Sequence, residues 1–148
     1  DTFAGGPAND AFVGGAGDDQ MYGLGGMDWL EGGLGADQMR GGPGNDLFVY
    51  MSAAESTAAK TDHILDFEDT QDHISLTNID ANSNVAGDQA FNFIGSSAFS
   101  HTAGELRAYQ SGSDWFVEGD VDGDGNADLV IKVTTFGGHV MAASDFLL

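Results

Sequence analysis

The sequence predicts an all-β protein, a right-handed parallel coil of short strands over residues 1–50 packed against a β-rich C-terminal cap over residues 51–148. Three observations carry that prediction. Glycine pairs and an aspartate recur every nine residues through the first third of the chain. The recurrence stops at Tyr50. Beyond it lie short aromatic and β-branched runs separated by turn residues, the pattern of strands joined by tight connections.

Five units follow one another without a gap: GGPANDAFV (5–13), GGAGDDQMY (14–22), GLGGMDWLE (23–31), GGLGADQMR (32–40) and GGPGNDLFV (41–49). The sixth place is always aspartate (Asp10, Asp19, Asp28, Asp37, Asp46), and the eighth is always a large apolar residue (Phe12, Met21, Leu30, Met39, Phe48). Asp1, Phe3 and Ala4 fit the sixth, eighth and ninth places of a preceding unit, so the chain reads as a piece of something longer.

Glycine reaches positive φ without a steric penalty, so paired glycines permit a tight turn whose carbonyls point inward. The aspartate that closes the turn adds a carboxylate, and together they make half of an oxygen cage. The last three places form a strand whose central side chain points into the interior. One unit buries almost nothing alone, so units stack, two to a coil, with each turn lying above the turn eighteen residues later.

Hard divalent cations that take six to eight oxygens fit between such stacked turns, and calcium tolerates carbonyl ligands and variable geometry where magnesium demands an octahedron. One edge pairs Asp1 with Asp19 and Asp19 with Asp37, and the other pairs Asp10 with Asp28 and Asp28 with Asp46. The candidate ligands of the turns add Gly5, Gly14, Gly23, Gly32 and Gly41 at the first place and Asn9, Asp18 and Asn45 at the fifth. Ala8 and Leu24 replace turn glycines, so the turns that hold them are expected to be distorted.

The pattern GGxGxDxUx, with U a large apolar residue, resembles the RTX nonapeptide, which implies a calcium-binding parallel β-roll. After it, Ser52 and Glu55 have capping-box spacing, which predicts a short helix or an ordered loop. The segment TDHILDFEDTQDHISL (61–76) resembles the stretch that follows the repeats in serralysin-type secreted metalloproteases. That resemblance implies that Asp62 and Asp66 close the sites at Asp37 and Asp46, which have no repeat above them. The alternative is that these two aspartates only solvate a hairpin. His63 and His73 are read as ordinary strand residues.

The cap is predicted from FNFIG (91–95), ELRAY (105–109), WFVEG (115–119) and LVIKV (129–133). Between the last two, Asp120, Asp122, Asp124, Gly125 and Asp128 occupy the first, third, fifth, sixth and ninth places of an EF-hand-type loop. The twelfth place is Ile131 and the flanks read as strands, so the expectation is a calcium-binding hairpin turn or a purely structural one. The terminal Asp145, Phe146, Leu147 and Leu148 resemble the uncleaved export signal of type I secretion substrates, and read equally as a last strand.

With 24 acidic and four basic residues the net charge is −20, which disfavours nucleic acid and anionic membrane as partners and favours multivalent cations. The chain has no cysteine and no apolar run long enough to span a membrane, and residues 1–20 do not show the basic start, apolar stretch and cleavage site of a signal peptide. It also lacks H-E-x-x-H and G-x-S-x-G motifs, so it reads as a non-catalytic module.

The resemblance covers nearly the whole chain. It implies a secreted, extracellular C-terminal module that binds several calcium ions and belongs to a larger parent, a serralysin-like protease or another hydrolase, with its catalytic domain upstream. The type I secretion machinery would be its partner in export, and calcium outside the cell would drive its folding. The alternative is a module that recognises a polysaccharide, a cell surface or ice, although the repeats themselves show no aromatic row or Thr ladder.

Overall fold

A computed structural model of the chain describes residues 1–68 and 70–148. The repeats supply Thr2–Ala4 (β1), Ala11–Ala16 (β2), Gln20–Tyr22 (β3), Trp29–Leu34 (β4), Gln38–Arg40 (β5) and Leu47–Val49 (β6). The rest supplies Asp62–Phe67 (β7), His73–Ser75 (β8), Asn92–Phe93 (β9), Glu105–Ser111 (β10), Asp114–Asp120 (β11), Leu129–Thr135 (β12) and Phe146–Leu147 (β13). No α-helix occurs among the described residues, and no helix is long and apolar enough to cross a membrane.

Successive units alternate between two sheets. β1, β3 and β5 stack in parallel on one side, with Phe3, Met21 and Met39 in register, while β2, β4 and β6 stack on the other, with Phe12, Leu30 and Phe48 in register. The offset between partners is eighteen residues, as two nonapeptides per coil require. Met21, Leu30, Met39 and Phe48 are fully buried between the sheets. Each contributes about 2 kcal/mol of hydrophobic stabilisation that a lone unit could not gain.

The coil continues past the last repeat. β7 lies beside β5, placing His63 against Gln38 and Ile64 against Met39, and β8 lies beside β6, placing His73 against Leu47 and Ile74 against Phe48. Ile64 and Ile74 therefore extend the two apolar columns by one level. β7 also pairs in parallel with β12, which runs on through antiparallel β11 and β10 to β9. Roll and cap thus share one eight-stranded sheet, and Leu106, Val117, Leu129, Ile131 and Val133 carry the core into the cap.

Ser52 to Lys60 is an ordered loop containing one 3₁₀ turn, Ala53–Glu55. The Ser52 hydroxyl accepts from the Ala54 N–H at 3.2 Å, and the Glu55 carboxylate reaches back to the Met51 N–H at 2.9 Å, one residue earlier than a capping box would place it. At the C-terminus β13 completes the five-stranded sheet by pairing Phe146 with Ile74. The Asp145 carboxylate accepts from the Ala142 N–H at 2.7 Å and lies 2.8 Å from His139 Nε2.

Candidate metal centres

Each repeat aspartate has two oxygens with different roles. Oδ1 accepts the backbone N–H of the aspartate one coil earlier: Asp10 to Asp28 at 2.8 Å, Asp19 to Asp37 at 2.8 Å and Asp28 to Asp46 at 2.9 Å. The Asp1 nitrogen donates to Asp19 Oδ1 in the same way. Oδ2 turns back toward the first glycine of its own unit, so that a Cβ built on Gly5, Gly14, Gly23, Gly32 or Gly41 would collide with it. At Gly14 and Gly23 the same Cβ would also meet the carbonyl of Gly32 or Gly41, stacked from the next coil, at 2.5 and 2.6 Å. Glycine is required there for close approach of oxygens.

The second oxygens of Asp19, Asp28, Asp37 and Asp46 are buried and have no hydrogen-bond partner among the described residues. Asp10 differs: it is partly exposed, and its Oδ2 accepts from Gly6 N–H at 2.7 Å. Buried polar groups in folded proteins are nearly always paired, so a column of orphaned carboxylate oxygens opposite backbone carbonyls points to a positive ligand. The fifth-place side chains work differently. Asn9 Oδ1 accepts from Met27 N–H at 2.8 Å and Asp18 Oδ1 from Ala36 N–H at 3.0 Å, which holds successive turns in register. Asn45, at the same place of the last unit, lies in an exposed turn.

The segment after the repeats closes both edges. Asp37 N–H donates to Asp62 Oδ1 at 2.8 Å, and Asp62 Oδ2 is again buried without a hydrogen bond of good geometry, the Tyr50 hydroxyl being its polar neighbour, so Asp62 takes the place of a repeat aspartate on that edge. On the other edge the equivalent residue is Asp72, whose Oδ1 accepts from Asp46 N–H at 3.0 Å. Asp66 instead receives the N–H groups of Gly41 and Gly42, each at 3.1 Å, and so caps the last turn. The resemblance implies closure at Asp46 by Asp66, whereas the stacked partner of Asp46 is Asp72. Linkers of 25 and 26 residues replace the constant eighteen, and counting no longer identifies the stacked partner.

Burial disfavours charge on these groups. It raises the pKa of Asp62 to about 8, of Asp72 to about 7 and of Asp46 to about 6, with neighbouring carboxylates adding to the rise and backbone N–H groups, joined at Asp62 by the Tyr50 hydroxyl, opposing it. Burial likewise raises Asp37 and Asp66. The Tyr50 phenol, fully buried and without a partner of good hydrogen-bond geometry, is pushed well up first by burial and then by the charge of Asp62.

The hairpin between β11 and β12 gathers one oxygen each of Asp120, Asp122 and Asp124 within 4.8 Å of one another. Asp120 is buried there, but Gly123 and Gly125 donate to its two oxygens at 2.7 and 2.9 Å. Asp122 and Asp124 are exposed, and Asn126 donates to both oxygens of Asp124 at 2.7 and 2.9 Å, holding its carboxyl below the usual range. Asp128 lies outside the cluster and accepts from Val121 N–H at 2.9 Å. His101 fastens the loop from outside, 2.8 Å from the Asp124 carbonyl.

Against known proteins, residues 4–148 match the family described as the peptidase M10 serralysin C-terminal domain. The chain belongs to that family. This serralysin C-terminal module is an RTX β-roll of the calcium-binding class, and serralysin-type RTX domains belong to secreted proteins. No curated protein matches it in sequence. Among solved structures it is similar to the AlgE6R2 subunit of the Azotobacter vinelandii mannuronan C5-epimerase, with TM-score 0.61 and 23% identity over 99% of this chain and 92% of that one. It is also similar to the AlgE6R3 subunit of the same enzyme, with TM-score 0.56 and 21% identity over 97% and 80%. At that identity the likeness is one of fold.

Proposed function

We propose that this serralysin C-terminal module is a non-catalytic calcium-dependent folding unit, with the roll of residues 1–50 as its sensor and residues 51–148 as the cap. The observation that carries the reading is the pair of columns of buried, unpartnered carboxylate oxygens: Asp19, Asp37 and Asp62 on one edge, Asp28 and Asp46 on the other. Calcium, when bound, supplies the positive charge and the six to eight oxygen contacts that these turns are built to satisfy.

The chain's own residues do the rest. The Oδ1 ladder fixes the vertical spacing of the turns, the first-place glycines admit carboxylate and carbonyl to the same space, and Asp62, Asp66 and Asp72 close the end of the roll. Without cations, a chain of net charge −20 with buried carboxylates favours the unfolded state, the form that the type I secretion machinery would thread. Outside the cell, cation binding selects the folded form because only that form holds the sites. The parent is a larger exported protein, a serralysin-like protease or another hydrolase. Asp120, Asp122 and Asp124 form an additional, weaker site in the cap.

Ion counting tests this reading. Protein dialysed against calcium and analysed by atomic emission should carry several ions, and Asp62→Asn, which keeps the Oδ1 acceptor and removes the charge, should carry one fewer. Calcium-free protein after dialysis, or an unchanged count in the variant, would refute the assignment.

A further inference from the structure

Three of the chain's four basic residues, Arg40, Arg107 and Lys132, lie on one surface, the outward face of the eight-stranded sheet. Strand register runs a single row of side chains across that face: Gln20, Gln38, His63, Lys132, Phe116 and Tyr109. All six are exposed or half-buried. The row crosses six strands, a span of about 24 Å at ordinary strand spacing. Half of it comes from the roll and β7 and half from the cap, so no single stretch of sequence displays it.

Two of the three basic groups on this face are paired with carboxylates. Arg107 Nη2 lies 2.6 Å from Glu118 Oε2, and Lys132 Nζ lies 3.0 Å from Asp114 Oδ2. His63 Nε2 is 2.8 Å from Thr134 Oγ1, whose hydroxyl donates to Asp114 at 2.7 Å. Tyr109 and Phe116 stack with ring centroids 5.9 Å apart and planes 20° apart, and the Arg107 guanidinium lies 5.1 Å from the Tyr109 ring centre. On a chain of net charge −20, this is a strip of amides, imidazole and aromatic faces on which acidic and basic groups are mixed.

We propose that this strip binds an extended, uncharged glycan chain. Sugar rings present C–H faces that pack on aromatic rings, and hydroxyls that pair with amide and imidazole groups. A linear polymer needs no pocket, and the strip has a length to match a short oligosaccharide. Charge selects against the alternatives: a polyanion is repelled by the acidic remainder, and a polycation is drawn to the carboxylate turns instead. Of the aromatic residues in the repeats, Tyr22 stands on this face, whereas Trp29 stands on the five-stranded sheet and serves as a control.

The test is a nitrogen-15 correlation NMR titration of the calcium-saturated chain with cellohexaose, xylohexaose, mannohexaose and chitohexaose, and separately with hexagalacturonate. We expect an uncharged hexasaccharide to shift the amides of β5, β7, β12, β11 and β10 with little dependence on salt. Gln38→Ala and Tyr109→Ala should each weaken that binding about tenfold, with spectra showing an intact fold, while Trp29→Ala leaves it unchanged. No shifts with any uncharged hexasaccharide would overturn the proposal. So would binding only to hexagalacturonate that salt abolishes, or shifts confined to the Trp29 face. Because calcium is saturating throughout, the outcome is separate from that of ion counting.

Discussion

The roll and the β11–β12 hairpin both present regularly spaced aspartates, yet they handle them in opposite ways. In the hairpin, N–H groups of the loop and Asn126 satisfy the oxygens of Asp120 and Asp124, and Asp122 and Asp124 face solvent. In the roll, Asp19, Asp28, Asp37 and Asp46 each accept with one oxygen from a nitrogen of the preceding coil and keep the other buried and unpaired. The hairpin is complete without an ion. The roll is not, and the contrast teaches that carboxylate spacing marks a candidate site while burial and unmet hydrogen bonding decide whether the fold depends on it.

The comparison breaks most easily at glycine. Gly23→Ala places a methyl group against Asp28 Oδ2 and the Gly41 carbonyl and should cost about 3 kcal/mol of calcium-bound stability by denaturant unfolding. Gly137→Ala, at φ 67° with open space around its Cα, should cost about 1 kcal/mol from backbone strain alone.

Acidity sharpens the comparison next. Asp62, Asp72 and Asp46 have folded-state pKa values raised to about 8, 7 and 6, above the unfolded carboxylate value of about 3.9. The folded form therefore holds protons that the unfolded form has released. Their stabilising contribution is complete below about pH 4 and is lost as pH rises through those folded values. Metal-free protein, a coil at pH 8, should accordingly gain β structure as pH is lowered toward 5, and Asp62→Asn should reduce that pH dependence. A far-UV circular dichroism spectrum of the metal-free chain that stays the same from pH 8 to pH 5 would show that protonation of these carboxylates does not govern its folding.

A smaller effect concerns Leu24, which the turn holds at φ 80° where Gly15, Gly33 and Gly42 sit at 94°, 89° and 88°. Leu24→Gly relieves that conformation and should stabilise the calcium-bound roll by about 1 kcal/mol in chemical unfolding. Smallest of all, Asp122→Asn in the exposed hairpin should change global stability by under about 0.5 kcal/mol. A larger loss in the presence of calcium would show that the fold depends on the weaker site of the cap as well.

The roll was legible in the sequence because its period is constant: glycine, aspartate and apolar places recur every nine residues, and the observed offset of eighteen follows from stacking two units per coil. Asp62 was legible through resemblance alone. Asp72 was not, because pairing with Asp46 depends on how an irregular linker folds back, and Asp66 stood nearer in sequence. Leu24 was legible as a departure, but its positive φ was not, since a side chain there equally suggests that the turn relaxes. The pairing of β7 with β12, between residues about seventy positions apart, left no local trace, and neither did the polar row that this pairing assembles. The split between one used and one orphaned oxygen on each aspartate is a property of packing, which composition and spacing do not encode.

The most direct test of the central claim is a calcium titration of the metal-free chain followed by far-UV circular dichroism, with magnesium run in parallel. The account predicts a cooperative transition from coil to β structure at sub-millimolar to millimolar calcium, absent with magnesium. A metal-free chain already folded at pH 8, with a spectrum that calcium leaves unchanged, would contradict it.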